Sequence, residues 1–172
     1  MAVEIERKFL LAGDGWRAAT SHSQAMAQGY LNDLATVTAG RQKASVRVRV
    51  EGQAAFLNIK SAQAGPQRLE FDYPIPVAEA EQLLGLCVGG LVRKRRHYVR
   101  HGAHLWEIDE FEGPNAGLVV AEIELEAVDA PFARPDWLGA EVTELRRYYN
   151  LALAARPYAE WDAGERAGPP TG

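Results

Sequence analysis

Glu4-Ile5-Glu6-Arg7-Lys8-Phe9 combines two carboxylates and an ammonium within five residues. Successive side chains of an extended strand point to opposite faces. Glu4, Glu6 and Lys8 would therefore share one face, with Ile5 and Phe9 on the other. Adjacent carboxylates repel, and they stay near an interior only where a cation or a basic neighbour offsets their charge. The stretch predicts a partner. The plain alternative is a solvated strand with a charged outer face, and the rest of the chain decides between the two.

The elements that must position these groups repeat the pattern. Residues 44–50 set three valines against Arg47 and Arg49, and after a hairpin turn at Glu51-Gly52-Gln53, residues 55–61 set Leu57 and Ile59 against Asn58 and Lys60. A turn at Ala64-Gly65-Pro66 leads to Arg68-Leu69-Glu70-Phe71-Asp72-Tyr73, which Pro74 and Pro76 end because proline cannot donate to a ladder. Lys94, Arg96 and Tyr98 share a face of residues 91–100. Glu107 and Asp109 share one of 105–111, and Glu122, Glu124 and Glu126 one of 118–128. Gln28-Gly29-Tyr30-Leu31 reads as a further strand. Helices are expected over 16–26 from alanine content, over 77–86 from apolar spacing and early glutamates, and over 144–155 behind a Thr143 cap. Residues 1–160 contain no internal repeat or linker and are expected to form one domain. The glycine- and proline-rich 161–172 segment is expected to be a disordered tail.

Composition narrows the function. A chain of 172 residues can bury one sizeable core. Its net charge of −4 argues against general attraction to nucleic acid, and the period-2 split of Arg93 to Arg96 suits a strand better than an RNA patch. No apolar run approaches the roughly 18 residues of a membrane span, and acids stand where a signal peptide would need bases. Cys87, the only cysteine, allows no intrachain disulfide and sits in an apolar stretch, so it reads as a small packed residue and the expected location is cytoplasmic.

About eight short antiparallel strands with few helices suggest a sheet that rolls up to remove its edges. If the apolar faces filled the barrel, the helices would have little to cover. We therefore expect a mainly β (α+β) fold: an eight-stranded antiparallel closed barrel with a charged lumen and helices packed outside. The inward faces would then hold eight acids (Glu4, Glu6, Glu70, Asp72, Glu107, Asp109, Glu122, Glu124) and seven bases (Lys8, Arg47, Arg49, Lys60, Arg68, Lys94, Arg96). Such an interior is tolerable only when wet and paired. Bases in that number suit phosphate oxygens, and clustered carboxylates suit magnesium or manganese. A cation on Glu4, Glu6 and one of Glu122 and Glu124 could neutralise a polyphosphate, and a second could activate water toward its terminal phosphorus. The chemistry expected is hydrolysis of a phosphoanhydride.

Glu4-Ile5-Glu6-Arg7-Lys8 resembles the ExExK signature of the CYTH proteins, the triphosphate tunnel metalloenzymes. Further segments agree in order: Arg47-Val48-Arg49, the Lys60 strand, Arg68 to Asp72, Lys94-Arg95-Arg96, Trp106 to Phe111, and Ala121-Glu122-Ile123-Glu124-Leu125. The likeness extends to about residue 155 and implies a tunnel that binds a triphosphate with one or two Mg2+ or Mn2+ ions. By that resemblance Glu4, Glu6 and Glu124 would hold the principal metal, with Glu122, Glu107 and Asp109 near a second metal or the attacking water. Lys8, Arg47, Arg49, Lys60, Lys94 and Arg96 would grip phosphates, Lys8 also serving catalysis. Asn58 and Asp72 depart from the usual residues. Glu144 and Leu145 replace a usual glycine and aspartate, so the carboxyl-terminal plug is expected to differ.

The leading functional reading is a metal-dependent hydrolase of inorganic tripolyphosphate, with no nucleic-acid or membrane partner; a homodimer is compatible with it. An adenylate cyclase or thiamine triphosphatase of the same architecture, and a silent polyphosphate-binding module, are the rivals. His97, His101 and His104 lack an obvious acidic partner and read as surface residues, and Tyr30 as a packed tyrosine near the tunnel entrance.

Overall fold

In the computed structural model, which describes residues 3–63 and 65–171, the alternating segments pair into one antiparallel sheet. Its strands are β1 (Val3–Leu11), β2 (Thr20–Tyr30), β3 (Ala44–Glu51), β4 (Ala54–Ser61), β5 (Gln67–Pro74), β6 (Val88–His101), β7 (His104–Phe111), β8 (Val119–Glu124) and β9 (Leu138–Glu141). They run in the order β5-β4-β3-β2-β6-β7-β8-β1-β9, and β1 also pairs with β5 at Val3–Leu69, Glu4–Arg68 and Ile5–Gln67. That pairing closes eight strands into the expected barrel and leaves no free edge between β1 and β5. Farther along β1, β9 takes over the same side at Phe9 and Leu11. Ala64, expected in the β4–β5 turn, lies outside the described residues.

Register carries the charged face inward all the way round. Arg49 stands opposite Gln28, Arg47 opposite Asn58, Lys60 opposite Glu70, Arg96 opposite Asp109, Glu107 opposite Glu122, Lys8 opposite Glu122, and Glu6 opposite Glu124. A slip of one residue in any strand would turn its ions outward. The apolar faces pack outside. Phe9, Trp106, Ile108 and Ile123 are covered by Trp16 and the 130–138 segment, and Val48 and Ala55 by helix α2 (Val77–Leu84) through Ala80.

The third apolar cluster fills one end of the barrel. Val92 and Val120, inward-facing on the same strands as Lys94 and Glu122, pack with Tyr30, Leu34, Tyr148, Leu153 and Trp161. α1 (Leu34–Thr38) and α3 (Asn150–Ala155) lie over this end and plug it except for a narrow opening between them, residues 61–63 and Arg146, and α2 alone matches the expected outer cover.

Several local expectations are corrected. Residues 16–26 are a turn followed by β2, because pairing with both β3 and β6 overrides the helix propensity of alanine. The expected 144–155 helix is a 3-10 turn at Arg146–Tyr148 and the short α3. Thr143 caps neither: its hydroxyl accepts from the Lys8 N–H at 3.0 Å and donates to Glu141 at 2.6 Å, tying the carboxyl-terminal segment to β1. The supposed disordered tail holds α4 (Ala163–Ala167), started by a capping box between Asp162 and Glu165, and Trp161 is buried against Tyr148. Among the described residues no helix is long and apolar enough to cross a membrane.

Candidate active site in the tunnel

The lumen divides into two chambers that share Glu6. One, of about 810 Å³, opens at the end away from the plug and is lined by seven carboxylates, Glu4 and Glu126 among them, and three arginines. The other, of about 100 Å³, lies under α1 and the start of α3; its charged lining is Lys8, Arg47, Lys60, Arg68 and Arg146 against Glu6 alone.

β6, β7 and β8 carry one connected set of ion pairs. Arg96 grips both oxygens of Asp109 with one edge of its guanidinium, Nε at 2.7 Å and Nη2 at 2.8 Å, and turns Nη1 to Glu107. Lys94 donates to Asp109 at 2.5 Å, Arg96 lies 3.5 Å from Glu122, and Lys8 donates to Glu122 at 2.7 Å. Burial opposes the charge of every member. It draws Lys94 down to about 8 despite Asp109. For Asp109 and Glu122 the surrounding bases outweigh burial and hold both carboxyls below their ordinary range. Glu107, nearer the open chamber, goes the other way: burial raises its pKa, and Arg96 only partly opposes this.

The β1, β4 and β5 side is looser. Lys60 lies 2.6 Å from Glu4 and 3.8 Å from Glu70, Asn58 donates to Glu70 at 2.6 Å, and Arg68 donates to Glu6 at 3.0 Å. Burial and the neighbouring Glu6 push Glu4 up to about 8, more than Lys60 can offset. Arg49 reaches Glu51 at 3.1 Å. Arg47 is only 7% exposed, and among the described residues it has no ion-pair partner and its Nε no hydrogen bond. A buried, unpaired guanidinium is costly unless an anion arrives.

Every residue anticipated for the site is thus on the lumen face, in three groups with Glu124 apart from them. Lys8, Lys94, Arg96, Glu107, Asp109 and Glu122 form the first. Glu4, Glu6 and Lys60 belong to the second, while Arg47 and Arg49 stand along β3. Glu124 is exposed at the wide mouth, directly across the strand pair from Glu6. Among the described residues no three acidic or imidazole groups converge as a formed metal cluster. The donor set nevertheless fits a hard divalent cation: Glu4, Glu6 and Glu124 line one chamber, and the raised Glu4 marks a place short of positive charge.

Gln28 and Tyr149 were not singled out from the sequence as site residues. Gln28 is fully buried with both amide atoms unpaired among the described residues, beside Arg49 on the paired strand. The alternation of large Gln24, Met26, Gln28 and Tyr30 with small Ser23, Ala25, Ala27 and Gly29 was the available signal. Gly29 is required outside, since a Cβ there would lie 2.7 Å from Leu91 and 2.8 Å from the Cys87 sulfur. Tyr149 lays its ring 4.7 Å from the Lys8 ammonium and 4.6 Å from the Arg68 guanidinium, forming the roof of the basic chamber. Tyr30 is buried in the end plug and lines the same chamber. His97 faces outward, joined to Ser23 at 2.7 Å and Glu110 at 3.2 Å.

The CYTH domain matches residues 2–158. This chain belongs to the CYTH family. It is 41% identical over 159 residues to an inorganic triphosphatase of Acetivibrio thermocellus, covering 92% of this chain and 97% of that protein. An inorganic triphosphatase of Nitrosomonas europaea is 36% identical over 156 residues, 88% and 96% of the two chains. Among solved structures, the inorganic triphosphatase NE1496 superposes with a TM-score of 0.62 at 35% identity, over 90% of this chain and 95% of that one. The PH1012 protein of Pyrococcus horikoshii shares the fold alone, with a TM-score of 0.54 at 18% identity over 73% and 80% of the chains.

Proposed function

We propose that this CYTH protein is a divalent-metal-dependent triphosphatase that hydrolyses inorganic tripolyphosphate by attack of water on the terminal phosphoryl group. The observation that carries this reading is the buried Arg47, a cation without an ion-pair partner among the described residues, in a chamber where bases outnumber acids five to one. Relatives at 41% and 36% identity named inorganic triphosphatases support it.

Lys8, Arg47, Arg49, Lys60, Lys94 and Arg96 would bind phosphate oxygens, the arginine forks in bidentate fashion. Magnesium or manganese on Glu4, Glu6 and Glu124, with Glu122 beside them, would neutralise phosphate charge and acidify a water. Asp109 and Glu122 are held ionised and fully engaged, so they position Lys94, Arg96 and Lys8. Glu107, whose pKa is raised by burial, is the better acceptor for the proton of the attacking water. Lys8, kept charged by Glu122 despite burial, would meet negative charge as it develops. A reducing cytoplasm suits the lone Cys87.

Phosphate release from tripolyphosphate, and cyclic AMP formation from ATP, each measured with and without magnesium, test the assignment. Magnesium-dependent phosphate release without cyclic AMP is expected. Cyclic AMP as the main product would replace the hydrolase with a cyclase, and turnover of neither substrate would leave a polyphosphate-binding module.

A further inference from the structure

The two mouths of the tunnel carry opposite charge, and this bears on how the substrate assigned above reaches its site. We propose that the polyphosphate anion comes in through the narrow basic mouth beneath the carboxyl-terminal plug, steered by Arg146, and not through the wide acidic mouth. The inference rests on the triphosphatase reading.

Width alone would favour the other route, since the acidic chamber holds about 810 Å³ and the basic one about 100 Å³. A chain of phosphates is thin, however, and it carries several negative charges. At the wide mouth it would have to pass seven carboxylates with three arginines to offset them, Glu124 and Glu126 standing exposed at the rim. Low-dielectric walls focus such a field, and a like-charged passage slows association accordingly.

The basic mouth is the reverse. Arg146 is exposed on its lining and makes no ion pair among the described residues. The loop between α1 and β3 carries exposed Arg41 and Lys43, and the Lys43 carbonyl accepts from the N–H of Ala62, itself part of the chamber wall, at 2.9 Å. Glu144, placed over Gly65, offsets part of this charge. Behind the rim, Lys60, Arg68 and the unpaired Arg47 continue the basic path inward.

Charge reversal at each rim separates the routes. Both side chains are exposed, and melting temperatures would confirm that the variants stay folded. With tripolyphosphate and magnesium at low ionic strength, Arg146→Glu should lower kcat/KM at least threefold with kcat unchanged. Arg146→Gln should give roughly half that loss on a logarithmic scale, and both losses should shrink as salt shortens the Debye length from about 10 Å to about 3 Å. Glu126→Lys should leave kcat/KM within about twofold of wild type. An unchanged kcat/KM in Arg146→Glu, a loss indifferent to salt, or a larger gain in Glu126→Lys than the loss in Arg146→Glu would overturn the proposal. Absence of turnover in the wild-type protein would instead strike the triphosphatase reading.

Discussion

On the β6–β7–β8 side of the lumen, Lys94, Arg96, Asp109 and Glu122 answer one another's charges; across from them Arg47 has no ion-pair partner among the described residues, and burial and the neighbouring Glu6 push Glu4 up to about 8 despite Lys60. Both walls are ionic and both come from alternating strands. The difference is that the first is satisfied by the protein alone, while the second is completed only by a cation and an anion. The internal ion pairs of the first wall should therefore carry stability, while the unsatisfied groups of the second should supply most of the gain on ligand binding.

Asp109→Ala is the sharpest way to break the contrast. It would leave Lys94 and Arg96 buried without their shared carboxylate, and removing one partner of a buried pair typically costs about 3–5 kcal/mol. A urea melt should show a loss of that size; a loss below about 1 kcal/mol would mean that the closed wall is not structural. Glu4→Gln should do the opposite. Its fold should persist, with magnesium-dependent phosphate release reduced at least tenfold, about 1.4 kcal/mol of barrier, and activity equal to wild type would remove Glu4 from the cation site.

The raised pKa of Glu4 gives a pH test of the same wall. With its folded value near 8 and its ordinary value at 4.5, the folded metal-free protein binds more protons than the unfolded chain between those limits, so this group lowers stability as pH rises through them. A cation must expel the proton. Apparent magnesium affinity should climb roughly tenfold per pH unit up to about 8 and then level off, as calorimetry in buffers of different ionisation enthalpy would register; a flat profile would contradict it. The smallest effect is expected for the stability of Arg47→Ala. Removing an unpaired buried charge should leave the melting midpoint unchanged or raise it by the equivalent of about 1 kcal/mol, and a clear loss would reveal a partner.

The sequence makes the inner face of the barrel legible because period-2 alternation is a local property: Arg47 and Arg49 against valines, or Glu122 and Glu124 against Ala121 and Ile123, state their face without any knowledge of neighbours. What it hides is set by non-local pairing. Alanine in β2 suggests a helix until β3 and β6 are present to pair with it. Four-residue β9 carries too short a pattern to be seen, and its place is set by pairing with β1, where Glu141 also meets Arg7. Tyr149 is an ordinary aromatic in sequence and becomes a roof over Lys8 and Arg68 only when the segment after Thr143 folds back over the barrel end. Which carboxylates are neutralised and which are left short depends on side-chain reach across strands, and spacing cannot supply that.

Titration of tripolyphosphate into the metal-free protein probes the unsatisfied wall without turnover. Calorimetry should show binding to wild type and an affinity at least tenfold weaker in Arg47→Ala. Equal affinity in the two proteins would contradict a lumen held open for an anion.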